Sequence, residues 1–359
     1  MNGIACNFFI YDKDRVRIGE VRSITSLQWL DCLQTVGEVK LVCGATENNR
    51  RLLVRGNRIY NPERPNTIAV IREIVLDDDL KTSKMTVRAM MSAVMWDDRT
   101  VMYTEDIACI EDGILRIASH NVQDLPCTVA TAKGYTDAAD TQVSWGSVLD
   151  AAEKLVDGTR LGFRNTLAPA TAAETFEVYK GVDRTAIGSA AYVGYLGDDS
   201  GTLKSIKIKD SDAKYKNVAV VAGRGEGAAR TVVRVDLSGG MTGENLRELF
   251  VDGKSVKEKY QVTNADGTTA DIAYTPAEYE AQLTAYGTEK LLKQGCEFDV
   301  AAELQQGALR LGDEYDLGDV LPLKIAKYGI LAHVLILKIK IVYETVRTVS
   351  ATLKLLEVI

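Results

Sequence analysis

Hydrophobic and polar residues alternate with a period of two through most of the first hundred positions. In "GEVKLVC", Val39, Leu41 and Cys43 fall on one side and Glu38, Lys40 and Val42 on the other, the pattern of a half-buried strand. Shorter strands are predicted at "CNFFIYD" and "VRIGEVR", parted by the turn-like "DKD". Two longer ones, "NTIAVIREIVLDDD" and "KMTVRAMMSAVM", flank an acidic turn at Asp77 to Asp79. The segment "TENNRRLLVRG" departs from the alternation and predicts a short helix, with Thr46 as its N-cap and Gly56 as its stop. Many short strands with one small helix predict a barrel-like β domain over residues 1–100.

The period then lengthens. "EDIACIEDGILRIASHNV" places Ile107, Ile110, Ile114 and Ile117 at helical spacing. "SWGSVLDAAEKLVDG" does the same with Val148, Leu149, Ala152, Leu155 and Val156, closed by Gly158. The Ala/Thr/Asp-rich stretch from Thr128 to Gln142 reads as an exposed loop. With the strand-like "TRLGFR" and "TFEVYKG", residues 101–182 predict a small α/β domain of insertion type. Residues 183–359 return to strands and predict a second β-rich, barrel-like domain with one helix near 276–294. In that helix Pro276 suits the first turn and Gly295 the stop. "CEFDVAAEL", "ILAHVLILKIKIVYE" and "TVRTVSATLKLLEV" follow as strands, with "YDLGDVLPL" between the first two. The fold class is α+β, mainly β, without a repeat of solenoid type.

Glycines at Gly223, Gly225 and Gly227 interrupt "NVAVVAGRGEGAARTVVRV" in the manner of a phosphate-binding loop. Such a loop must open a helix, because the phosphate rests on the helix N-terminus. Here Val233 and Val235 alternate with Arg234 and Asp236, so a strand follows, and the predicted feature is a hairpin turn that binds no nucleotide.

Composition narrows the functional classes. A net charge of -7 argues against a surface that neutralises nucleic-acid phosphates, yet suits a wall past which a polyanion slides. No apolar run reaches membrane-spanning length, and the N-terminus lacks the pattern of a secretion signal. Cys6, Cys32, Cys43, Cys109, Cys127 and Cys296 are scattered without a C-x-x-C pair, as expected of reduced, mostly buried thiols. The two histidines, His120 and His333, fall at a helix end and inside a strand. Asp77-Asp78-Asp79, Asp97-Asp98 and Asp198-Asp199 lie at turns, where aspartate is favoured for its local hydrogen bonds. Trp29, Trp96 and Trp145 are too far apart in sequence to announce a sugar-binding platform. No catalytic residue, metal ligand or cofactor is assigned, and the expectation is a protein that is not an enzyme.

Several phrases in order resemble a family of phage tail-hub proteins found at siphophage tail tips. The N-terminal strand pair leads to a Ser-Leu-x-Trp element at Ser26, Leu27 and Trp29, and "ENNRRLLVRGNRIY" is similar to the family's helix-then-glycine segment. Further matches are a Gly-x-Asp-Arg at Gly181, Asp183 and Arg184, and the glycine hairpin. An Arg-Glu-x-Phe-Val-Asp element follows at Arg247, Glu248, Phe250, Val251 and Asp252, and then Leu317, Gly318 and Asp319. The resemblance implies tail-tube-like β-barrel domains and a homotrimeric baseplate hub at the virion tail tip, assembled in the host cytoplasm. The partners it implies are a tail tube or distal tail protein, a tape-measure protein, and a tail fibre, spike or receptor-binding protein. No sequence-specific nucleic acid or membrane is among them. Longer homologues carry a peptidase, a peptidoglycan hydrolase or a fibre after the hub, and none of these is carried over to this chain. The motif charges are expected to be half-buried structural ion pairs, each costing about 3–5 kcal/mol when its partner is removed. A hub of a contractile phage-tail-like bacteriocin and a carboxylate-dependent cell-wall hydrolase are the alternatives.

Overall fold

The computed structural model describes residues 7–78, 83–168, 170–171, 173–263, 269–305 and 307–358. The alternating segments of the first block pair as antiparallel strands, and the pairing puts their apolar sides together. Ile24–Cys32 pairs with Glu38–Gly44, which pairs with Ser83–Met91, which pairs with Ile68–Asp78. Leu27, Trp29, Leu41 and Val87 are consequently fully enclosed. Arg58–Tyr60, Phe9–Tyr11 and Arg17–Glu20 extend the sheet beyond the first half of Ile68–Asp78. The expected short helix is present as α1 (Glu47–Leu52), and the Thr46 side chain accepts the Asn49 N–H at its start.

The C-terminal strands do not build a separate sheet. Ile330–Tyr343 pairs along its length with Arg347–Val358 on one side. On its other side, residues 330–335 pair with Val320–Ile325 and residues 338–343 pair with Ile24–Cys32. One fourteen-residue strand therefore belongs to both β blocks. Two register shifts, between His333 and Val334 and between Ile336 and Lys338, accompany the change of neighbour. Bulges of this kind bend a strand and increase its twist. The sheet continues through Glu297–Leu304 to Leu203–Ser211 at its far edge.

Helices α2 (Ile110–Asn121) and α3 (Val148–Val156) pack on Gly162–Ala168 and Ala173–Tyr179 around a core that includes Trp96, Phe163 and Phe176. Two expectations are corrected here. Ile107 is not helical: Glu105–Cys109 is a strand paired with Ala138–Val143, and α2 starts only at Ile110. Ile107 still joins the helix core, because Gly113 leaves room for it; a Cβ there would lie 2.6 Å from Ile107 Cγ2. The stretch from Thr128 to Gln142 is likewise not one loop. Cys127–Val129 pairs in parallel with Ala173–Tyr179, and Ala138–Val143 closes the other pair. The turn between them is fixed by Glu111, whose carboxylate accepts the N–H groups of Lys133, Gly134 and Tyr135 at 2.6, 2.9 and 2.7 Å.

Residues 1–208 and 299–359 form one compact unit, and residues 209–298 form a second. In the second unit, Val218–Ala222 lies between Val232–Asp236, antiparallel, and Glu248–Asp252, parallel. Helix α4 (Pro276–Leu292) covers one face with Tyr279, Leu283, Gly287 and Leu291, a stripe at four-residue spacing. Its start carries Pro276 in the first turn, as expected, and a reciprocal capping box between Thr275 and Glu278.

Candidate functional site

The residues that bear chemistry are occupied with one another. His120 Nδ1 lies 2.9 Å from Glu105, which also takes Arg116 at 2.7 Å, and His333 Nδ1 lies 2.5 Å from Glu357. Asp98 pairs with Arg72 at 3.1 Å. Asp198 accepts the N–H groups of Lys327 and Ala326, which hold its carboxyl below the ordinary aspartate value, and Asp199 takes Lys324 at 2.6 Å. These two aspartates fasten the turn between strands Val320–Ile325 and Ile330–Tyr343. Asp77 and Asp78 end a strand, and Asp79 and Cys6 lie outside the described residues. Burial pushes the thiols of Cys32 and Cys43 up to about 11 and that of Cys127 up to about 12, so they stay protonated and behave as small apolar groups. Among the described residues, no three His, Cys, Asp or Glu side chains cluster as a metal site.

The glycine stretch is a strand–turn–strand, as its periodicity requires. Gly225 adopts φ +99°, and a Cβ at Gly223 would lie 2.7 Å from the Tyr279 hydroxyl. The glycines serve a tight turn and the close approach of α4, and Tyr279 Oη accepts the Arg224 N–H at 3.0 Å.

Two motifs far apart in sequence meet in a buried clasp. Arg184 Nε donates to Asp319 at 2.7 Å, with side-chain exposures of 11% and 3%. The Asp319 carboxylate also accepts the N–H groups of Val182 and Asp316, at 2.7 and 2.9 Å. The backbone joins as well: Arg184 N–H donates to the Val320 carbonyl and Val320 N–H to the Val182 carbonyl. Gly181 is required because a Cβ there would stand 2.1 Å from the Gly318 carbonyl carbon. Gly318 itself has φ +85°, which suits glycine. Asp183, next in line, points outward to Arg160 at 3.1 Å.

Two further buried clusters were not singled out in the sequence. Glu174, fully buried, takes Arg15 Nε at 2.6 Å and Arg58 Nε at 3.3 Å. Asp31 takes Arg64 Nε at 2.6 Å and the Trp29 indole N–H at 3.0 Å, and Arg64 also reaches Asp316 at 2.8 Å. Burial alone pushes Arg64 down, but the Asp31 and Asp316 carboxylates outweigh it and keep the guanidinium charged. A signal existed. Asp31 follows Leu27 and Trp29 at two-residue spacing, and Glu174 precedes Phe176 and Val178 in the same way, so each carboxylate sits in the inward register.

The third motif behaves differently. Arg247 pairs with Asp212 at 2.6 Å, but their side chains are 37% and 62% exposed. Asp252 pairs with Arg230 and Glu248 with Arg234, also at the surface. These charges are half-buried at most: Glu248 and Asp252 alternate onto the open face of the sheet with Phe250, Val251 faces α4, and Arg247 lies just before the strand. Of the tryptophans, Trp29 and Trp96 are core residues and Trp145 is 74% exposed at φ +53°.

The family model described as Siphovirus ReqiPepy6 Gp37-like protein matches residues 114–353. No curated protein sequence matches the chain. Among solved structures, the fold is similar to the 43 kDa tail protein of prophage MuSo2 from Shewanella oneidensis. The TM-score is 0.56 at 10% identity, over 97% of this chain and 98% of that one. It is equally similar to the tail protein from Neisseria meningitidis MC58, with a TM-score of 0.56 and 12% identity over 99% and 97% of the two chains. Prophage tail protein gp18 from Listeria monocytogenes EGD-e gives a TM-score of 0.50 and 11% identity over 97% and 94%.

Proposed function

This chain belongs to the Siphovirus ReqiPepy6 Gp37-like protein family, and we propose that within a phage tail it is the hub of the tip. In this reading three copies form a ring that joins the hexameric tail tube to a three-fold distal tip and leaves a channel for DNA. The observation that carries it is the strand Ile330–Tyr343, which holds two β blocks in one continuous sheet within each protomer. Three protomers then supply six blocks, the number needed to meet a six-fold tube. A closed three-fold ring requires heterologous contacts, one face of each copy against a different face of the next.

The role is structural rather than catalytic, and the buried clasp and clusters support it. Arg184, Asp319, Arg15, Glu174 and Arg58 are committed to holding segments together, an arrangement suited to a part that bears load. The tail tube or distal tail protein, the tape-measure protein and a fibre or spike are the proposed neighbours in the virion. Electron micrographs of the full chain at high concentration, and of assembled tail tips, test the reading. Three-fold rings with a central channel are expected, and a two-fold particle in both samples overturns it. A sheath gene beside this one would make the particle a contractile tail.

A further inference from the structure

Two open stretches of the long sheet stand out among the described residues. Beyond the part of Ile68–Asp78 that pairs with Arg58–Tyr60, residues 73–78 pair with the strand Ser83–Met91, and among the described residues no strand runs along their other side. At the far end of the sheet, Leu203–Ser211 pairs only with Glu297–Leu304 among the described residues. An unpaired strand edge presents a row of free N–H and C=O groups and is a template for another chain. Soluble proteins blunt such edges unless they use them.

The edge at residues 73–78 shows marks of use, and the other carries lysines, which discourage most strands from adding there but admit an acidic one. Residues 73–78 belong to a hairpin that outruns the core: Val75 is 43% exposed and Leu76, its neighbour on the opposite face, is 57% exposed. A strand with apolar residues bared on both faces is a liability in an isolated protein. The charges are sorted as well. Residues 73–78 hold three carboxylates, Glu73, Asp77 and Asp78, and no cation. Residues 203–208 hold two lysines, Lys204 and Lys207, and no carboxylate. Ile206 and Ile208 lie half-buried among those lysines. Within the chain Lys204 is matched by Glu303 at 2.6 Å, and Glu73 by Arg88 at 3.3 Å.

We infer that the acidic edge at residues 73–78 of one copy adds as a strand to the basic edge at residues 203–208 of a second copy of this chain. The contact is heterologous, so each copy uses both edges and the chain of contacts closes into a ring when the rotation allows. Backbone hydrogen bonds supply the continuity, Val75 and Leu76 are covered, and opposite charges select this pairing over acidic-to-acidic or basic-to-basic alternatives. The inference rests on the ring proposed above and names its seam.

The test mixes unlabelled and nitrogen-15-labelled full-length chains at high concentration. A carbodiimide then condenses carboxylates with touching amines, and mass spectrometry reads the mixed-isotope peptides. Cross-links joining the carboxyls of residues 73–78 to Lys204 or Lys207 are expected. In sedimentation, Asp77→Lys and Lys207→Glu each lower the assembled fraction about tenfold, and the double variant restores it, with circular dichroism unchanged throughout. A ring whose mixed-isotope cross-links lie elsewhere overturns the edge pairing and leaves the ring standing. Cross-links from Lys207 to another tail protein in assembled tips overturn the choice of a second copy. A chain that stays monomeric alone and shows no self-contact in tips overturns both.

Discussion

Arg184 and Arg247 are both motif arginines paired with an aspartate distant in sequence, yet the molecule uses them in different ways. Arg184 and Asp319 are enclosed, and the carboxylate collects two backbone N–H groups besides the guanidinium. Arg247 and Asp212 are open to solvent on one side, with side-chain exposures of 37% and 62%. A charge pair in water exchanges hydration for a contact of similar worth, whereas a buried partner left alone has neither. The residue type is the same; burial decides whether it matters.

The buried side of the comparison should break hardest at Glu174. Glu174→Ala leaves Arg15 and Arg58 buried without their carboxylate, and a loss of about 3–5 kcal/mol is expected in denaturant unfolding. A loss below about 1 kcal/mol, the range of exposed pairs, would show that burial is not the deciding variable.

Packing in the second unit gives the next largest effect. Gly287 faces Val221, and a Cβ there would lie 2.3 Å from Val221 Cγ2. Gly287→Val should cost about 1–3 kcal/mol by forcing α4 off its sheet, although the helix loses a glycine. An unchanged melting temperature would mean that α4 has slack.

Acid separates paired carboxylates by the direction of their shifts. Burial pushes Glu177 up, but Lys133 and Arg164 outweigh it and hold its carboxyl below the ordinary value of 4.5. A depressed folded value means that the contribution is complete above 4.5 and fades as the pH falls toward that depressed value. Melting temperature should therefore drop as the pH falls below 4.5, and Glu177→Gln should flatten that drop. A melting temperature that rises on acidification contradicts the assignment.

Arg247→Ala closes the series. Its exposed pair predicts a change of about 0–1 kcal/mol by thermal melting. A loss comparable with that of Glu174→Ala would place Arg247 in a buried contact and remove the contrast on which the comparison stands.

Local patterns were enough to find the elements. Alternation marked the strands from Glu38–Gly44 to Arg347–Val358, and spacing with Thr46, Pro276 and Gly158 marked α1, α4 and α3. The turn at Gly223 to Gly227 was legible because the residues after it alternate. These features depend on neighbours within a few positions, where side-chain period and backbone preference act directly. The boundary of α2 was harder. The strand Glu105–Cys109 exists only because Ala138–Val143 returns to it, steered by Glu111 some twenty residues earlier in the chain.

What the tertiary structure alone decided is partnership. Nothing local tells that Ile330–Tyr343 is shared by two β blocks, or that Arg184 meets Asp319 at a separation of 135 residues. Nor does it tell that the Arg247–Asp212 pair is partly exposed while Asp31 and Glu174 are enclosed. The inward register of those two carboxylates was written in the alternation, but their arginines arrive from other strands and loops. A strand's backbone hydrogen bonds do not name their partner, since every residue but proline carries the same donor and acceptor. Which edges are filled and which remain open is therefore fixed only when the whole sheet has formed.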